Sequence, residues 1–361
     1  MSVTIVLPLK GRHGHTLRWL RHAERIRLPF PVIIADGDLQ SPLAPLLEEG
    51  KTFPSVNYRY LRYDDQSWPH AMRKFADAIR RADTEYVMVA DNDDFISPSF
   101  MVEAAAFLDG APDYCAVNGR HLRFSLHPDS RLGETQAVMG DMYNLSWNMP
   151  ADAYADQDAV TRVGAILRAP SPCWYNVTRR EVLAHSFDIA GRAAYRNFEV
   201  LEYIQDCMIA GSGRIKILPS LFYIRQEGTS LNKGWAKPFM ERVFLNDWMG
   251  DFAQVIAHVA KGTGLAPDAL EACMRQAMCS RMTRLVQHDL TVDKSSRSRP
   301  LLRRLRQLGP LRRLRTRLQM DRLCLEVPGG AVLAEELREI SATLSDPELL
   351  ALCRHAIPEM S

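Results

Sequence analysis

The sequence predicts an α/β protein: a mostly parallel sheet flanked by helices, followed by a C-terminal α-helical domain. Three observations carry this. Short continuous apolar runs, each closed by a polar turn, alternate with helix-period segments through the first 110 residues. The first, second and fourth runs are almost continuously apolar rather than alternating, as strands covered by helices on both faces require. Beyond about Trp235 strand patterning stops, and segments 238–260, 266–290, 300–320 and 331–355 all carry helical spacing.

The elements follow in order. Val3–Leu7, closed by Pro8, reads as a buried strand. Gly11-Arg12-His13-Gly14 reads as a loop, with Thr16 as cap of a helix over Leu17–Ile26. Val32–Ala35 is a second buried strand ending at Asp36-Gly37-Asp38, and a third is expected around Val56–Leu61. Ala71, Met72, Phe75, Ala76 and Ile79 fall on one face of a helix running to Ala82. Tyr86–Ala90 is a fourth strand, and a helix from Pro98 to Leu108 closes at Asp109-Gly110. Cys115–Val117 reads as a strand, Trp174–Val177 as another, and Arg179–His185 as a short helix. Residues 125–170 carry no clear period. Phe198–Ile209 is a helix ending at Gly211-Ser212-Gly213, and Ile215–Leu218 and Leu221–Ile224 are two strands. In such sheets ligands lie beyond the carboxyl ends of the strands, which is where Arg12, Asp36 and Asp91 fall.

Composition narrows the function. Seven cysteines, scattered and without a CxxC pair, exclude a disulfide framework and a zinc site and fit a reducing compartment. The first residues carry no basic region before a long apolar run, and no stretch reaches the roughly 18 apolar residues needed to span a bilayer. A cytoplasmic protein is expected. The net charge of +2 hides an asymmetry. From Lys294 to Met320 the chain carries ten basic residues and no acid, which leaves roughly −8 for the rest.

The sharpest feature is Asp91-Asn92-Asp93-Asp94, directly after an apolar strand. Carboxylates this close to a buried strand need water, donors or a cation. Asp91 and Asp93, one residue apart in a turn, are expected to face one point and hold Mg²⁺ or Mn²⁺ shared with a substrate phosphate. The competing reading is an acidic turn that caps the next helix.

The ordered set resembles the GT-A glycosyltransferases, specifically the family-2-like group, over roughly residues 1–230. That group opens with a strand ending in Pro and a polar loop closed by Arg, matched by Ile5–Pro8 and Arg12. Its second strand ends in an Asp, matched by Asp36. Its fourth strand runs from Glu-Tyr to Asp-x-Asp, matched by Glu85-Tyr86 and Asp91-Asn92-Asp93. The usual Arg-Asn pair of the preceding helix is replaced, with Lys74 or Arg73 as substitutes. The His common near the last strand is replaced by Ile224-Arg225-Gln226.

The resemblance implies a metal-dependent, inverting transfer of a sugar from a nucleoside-diphosphate sugar to a hydroxyl of a glycan or glycoconjugate. Pro8, Arg12, Asp36, Lys74, Asp91, Asn92 and Arg225 would meet the donor, and Asp91 and Asp93 the metal. Glu202 would be the base, with Glu199 and Asp206 as alternatives, because each lies ahead of the Gly213…Pro219 strand. A sugar nucleotidyltransferase and a non-catalytic nucleotide-sugar-binding protein are the rivals. Trp68, His70, Trp174 and Tyr175 are candidates for a sugar-stacking platform.

The expected catalytic domain spans 1–235 and the helical domain 236–361. Segment 294–322 of the latter interleaves leucines with arginines. It suits an anionic membrane surface, or packing against the acidic domain. Without interleaved aromatics, a nucleic-acid partner is not expected.

Overall fold

The computed structural model describes residues 3–128, 138–148, 154–169, 173–192, 198–227, 248–295, 309–326 and 330–357. The domain boundary expected at 235 and the middle of the basic segment lie outside them.

The N-terminal half alternates as expected: β1 (Val3–Leu9), α1 (His13–Arg25), β2 (Val32–Asp36), α2 (Ala44–Glu49), β3 (Tyr58–Arg62), α3 (Trp68–Arg80) and β4 (Tyr86–Val89). Then come β5 (Phe95–Ile96), α4 (Pro98–Gly110), β6 (Tyr114–Pro128), β7 (Gly140–Asn148), α5 (Ala159–Arg168), a 3-10 turn at Cys173–Tyr175 and β8 (Val177–Arg179). They are followed by α6 (Arg180–Ala190), α7 (Phe198–Ser212), β9 (Arg214–Glu227), α8 (Trp248–Thr263), α9 (Pro267–Ser295), α10 (Gly309–Leu325), α11 (Gly330–Leu344) and α12 (Pro347–Ala356). All nine strands form one sheet in the order β3-β2-β1-β4-β8-β6-β9-β5, with β7 hydrogen-bonded to β6. The first four strands are mutually parallel, β8 is antiparallel to both of its neighbours, and β6 and β9 are again parallel.

Both faces are covered, which explains the continuous apolar runs. Val6 and Ile33 point into a cluster with α3, α5, α6, α7, α8 and α9. Ile5, Leu7, Val32 and Ile34, one residue out of phase, point into the cluster with α1, α4 and α12. A third cluster joins the outer ends of β6, β7 and β9 to α10 and α11.

The structure corrects several local expectations. Trp174 belongs to the 3-10 turn, and the strand starts at Val177. The two strands expected over 215–224 are one. Pro219, which lacks an N–H, is absorbed where the β6–β9 register slips between Asn118 and Arg120. The segment 331–355 is two helices, because Pro347 opens the second and Asp346 caps it by accepting the Glu348 N–H at 2.9 Å. Residues 125–170 hold the β7 hairpin arm and α5, neither legible beforehand.

The last two helices brace the front of the sheet through charge. From α1, Arg21 Nε meets Asp346 Oδ2 and Arg25 Nε meets Glu339 Oε2, each at 2.7 Å, while His22 Nδ1 bonds Thr343 Oγ1 at 3.0 Å. Glu336 reaches from α11 to Ser97, the cap of α4. Its second oxygen is buried with no hydrogen-bond partner among the described residues. Burial lifts the Glu336 pKa to about 7, only partly opposed by the bonds from Ser97 and Ser99.

A raised carboxyl pKa favours the protonated fold. This contribution is therefore full below the unfolded value near 4.5 and is lost as pH rises through about 7. Glu336→Gln, neutral at every pH, should remove it. Between pH 5 and 8 the wild-type chain should lose up to about 3 kcal/mol relative to the variant, read as diverging urea midpoints. Parallel pH profiles would refute this.

Candidate metal and phosphate site

The site forms at the carboxyl end of β4, where the strand stops and the chain must cross to β5. Gly11 and Arg12 both take left-handed backbone, with φ of 66° and 53°, to turn from β1 into α1. Glycine does this freely, whereas the side chain of Arg12 makes it costly, by about 1 kcal/mol or more. The strain aims Arg12 at the acid loop: its Nη1 lies 3.0 Å from Asp93 Oδ2. Thr16 is inside the helix rather than its cap, and its Oγ1 accepts from Asn92 Nδ2 at 3.0 Å. Asn92 is buried by this bond, so it ties the loop to α1.

The three aspartates converge. Asp91, Asp93 and Asp94 each offer a carboxylate oxygen within 4.8 Å of the others. Opposite ligands of an octahedral Mg²⁺ lie about 4.2 Å apart, so the spacing is near what one hard cation spans. Only oxygen donors contribute, which suits Mg²⁺ or Mn²⁺ rather than a soft metal. Asp94, part of the acid cluster in the sequence but not among the expected ligands, completes the set.

The charges also fit a cation. Burial and repulsion by Asp93 push Asp91 up to about 6, against the hydrogen bond from Tyr175. Burial and the same neighbour raise Asp94 well above the carboxylate range. Across the gap, β5 pairs antiparallel with β9 (Phe95 opposite Ile224), which brings Arg225 to the same edge. Burial opposes the Arg225 charge, but Asp94, the two tyrosines Tyr175 and Tyr223, and Asp91 outweigh it and hold the guanidinium above its usual pKa. The Gln226 N–H donates to Asp94 Oδ1 at 2.7 Å.

The wall behind the loop is aromatic. The Tyr175 hydroxyl donates to Asp91 Oδ2, and its ring stacks on Tyr223 at 5.0 Å. The Tyr223 hydroxyl accepts from the Asp91 N–H at 3.3 Å. Tyr175 is therefore core, not a sugar platform, because its ring is buried at 5% exposure. Trp68 stands on the surface at the start of α3.

The remaining candidates spread along neighbouring strand ends. Pro8 is half-buried in β1 beside Ala35 of β2. Asp36 is buried, its Oδ1 accepting from the Asp38 N–H at 3.0 Å and its Oδ2 from the Tyr60 hydroxyl at 2.8 Å. Lys74 is buried too, donating to Leu9 O at 3.0 Å and to Asp65 Oδ2 at 2.6 Å. Sequence reasoning missed Asp65, which has no motif around it. Asp65 sits against Gly37, where an added Cβ would lie 2.1 Å from its Oδ2.

On α7, Glu202 is half-buried. Asp206 is fully inside and accepts the Cys173 N–H at 2.9 Å; burial pushes its pKa to about 7. Asp206 thus holds the turn that presents Tyr175 to Asp91. The side chain of Glu199 lies outside the described residues.

No protein-family model and no curated protein matches this chain. Among solved structures, S. aureus TarS 1–349 aligns over 99% of this chain and 88% of that one, at a TM-score of 0.47 and 14% identity. The same fragment in complex with UDP-GlcNAc aligns with the same values. The longer S. aureus TarS structure aligns at 12% identity, with 53% of its chain covered.

Proposed function

We propose that this chain is a metal-dependent glycosyltransferase that moves a sugar from a nucleoside-diphosphate donor to a hydroxyl of a glycan or glycoconjugate. The observation that carries it is the convergence of Asp91, Asp93 and Asp94 at a strand end flanked by Arg12 and Arg225. The three aspartates would hold Mg²⁺ or Mn²⁺, whose charge offsets the diphosphate as the sugar bond breaks. Arg225 presents a forked donor to phosphate oxygens. Pro8 and Asp36 stand at the neighbouring strand ends, where the nucleoside would lie, and Lys74 of α3 braces that edge from within through Leu9 O and Asp65. Asn92 holds the loop that receives the donor. Glu202 takes the proton of the acceptor hydroxyl, and attack from the far side of the anomeric carbon inverts it.

A thermal-shift panel of UDP-, GDP-, CMP- and dTDP-sugars tests the reading, with and without Mn²⁺. One donor should raise the melting temperature only with metal, since a ligand bound to the native state stabilises it. Turnover should then release nucleoside diphosphate. Release of pyrophosphate would make the chain a nucleotidyltransferase, and no stabilisation by any donor would refute both.

Leu318 and Leu325 stand 61% and 88% exposed on one face of α10, whose opposite face buries Leu323. With the basic tract that precedes them in the sequence, they support peripheral contact with an anionic membrane carrying the acceptor. Sedimentation with phosphatidylglycerol vesicles but not phosphatidylcholine vesicles is expected; equal sedimentation with both would refute the charge-driven contact.

A further inference from the structure

We propose that Arg18 is a positioning residue for the acid loop, a buried cation whose forked donors fix the Asp93–Asp94 turn in the shape that holds a divalent ion. The inference rests on the metal-binding reading of Asp91, Asp93 and Asp94. Arg18 lies in α1 with no exposed surface. Its Nη2 donates to Asp93 O at 2.6 Å, and its Nη1 to Val138 O at 3.0 Å and to Gln226 Oε1. Three chain segments therefore meet on one guanidinium: the acid loop, the end of β9 and the approach to β7. Gln226 closes the circuit through its N–H bond to Asp94 Oδ1. The guanidinium lies 5.1 Å from the ring centroid of Phe95, the residue after the loop.

Arg18 bonds the carbonyl of Asp93, not its carboxylate. It therefore fixes the turn through the backbone rather than through an acid oxygen. Burial pulls its pKa down to about 10, with Asp93 and Asp94 as the charges that offset this, so it stays protonated at neutral pH. The planar fork aims its donors in fixed directions from two nitrogens, whereas a lysine ammonium sends its three donors from a single point on a different reach. Being fully enclosed, Arg18 touches neither donor nor acceptor, so its effect passes through the loop.

Mn²⁺ titration of the full chain, followed by electron paramagnetic resonance, tests this, with circular dichroism to confirm folding. Arg18→Lys should keep the fold and bind Mn²⁺ about 10-fold more weakly, with a broadened bound-ion signal. Arg18→Met should weaken binding by about 10- to 100-fold, as loss of outer-shell support does elsewhere. A folded Arg18→Lys chain with unchanged affinity and spectrum would overturn the proposal, and this variant decides the matter if Arg18→Met does not fold. No Mn²⁺ binding by the wild-type chain would overturn the metal reading itself, a distinct outcome.

Discussion

Asp93→Asn is expected to leave the chain folded and to reduce sugar transfer by about 10³-fold. Asp93 is the member of the acid cluster paired with Arg12 and the one that pushes both Asp91 and Asp94 toward protonation. Removing its charge leaves a neutral amide oxygen where a carboxylate ligand stood and relaxes the repulsion that attracts a cation. A metal supplies several kcal/mol of charge stabilisation to a departing diphosphate, and about 4 kcal/mol corresponds to that rate loss. Initial rates with the donor identified in the thermal-shift panel measure it, beside Mn²⁺ affinity and a thermal melt. Wild-type turnover in a folded variant would remove the metal role.

Lys74→Met should be among the most destabilising single changes in the parallel half of the sheet. Lys74 and Asp65 form an ion pair at 2.6 Å, both side chains only 3% exposed. The second oxygen of Asp65 is buried with no hydrogen-bond partner among the described residues. Taking away the ammonium leaves a buried carboxylate without its partner, which costs about 3–5 kcal/mol. Lys74→Met combined with Asp65→Leu removes both charges and should regain most of that loss, because a buried pair itself contributes little net stability. Urea unfolding of the wild-type chain, the single variant and the double variant gives the comparison. A single-variant loss below about 1 kcal/mol, or a double variant no better than the single, would contradict it.

The legible part of the fold was the part written in local periodicity. Val3–Leu7, Val32–Ala35 and Tyr86–Ala90 announced strands because both faces of each are buried, so apart from Thr4 and the Tyr86 hydroxyl they are apolar. The outer half was harder. The outer part of β6 and all of β7 alternate in burial and vary in register, and β9 runs through a proline that only a register slip can absorb. Likewise α1 starts earlier than Thr16 suggested, because a strained Arg12 rather than a hydroxyl cap opens it.

The candidate site divides in the same way. Asp91, Asp93 and Arg12 stand out because their chemistry is concentrated in a few adjacent positions. Asp65, Arg18 and Tyr223 carry no local signal, and Tyr175 suggested only a sugar platform. Each is one polar or aromatic residue in an ordinary stretch; Arg18, Tyr175 and Tyr223 acquire their roles from partners 75 to 132 residues away, and Asp65 from Lys74 on the next helix.

By itself, the sequence determined that buried strands would alternate with helices and that a dense group of acids would sit at a strand end, since both follow from side-chain burial within a few residues. Only the tertiary structure decided which distant groups close around those acids. The pairing of β5 with β9 brings Arg225 and Gln226 to the loop, and the packing of α1 brings Arg18 beneath it. Pairing and packing between groups 75 or more residues apart depend on how whole faces fit together, and no local pattern encodes that fit.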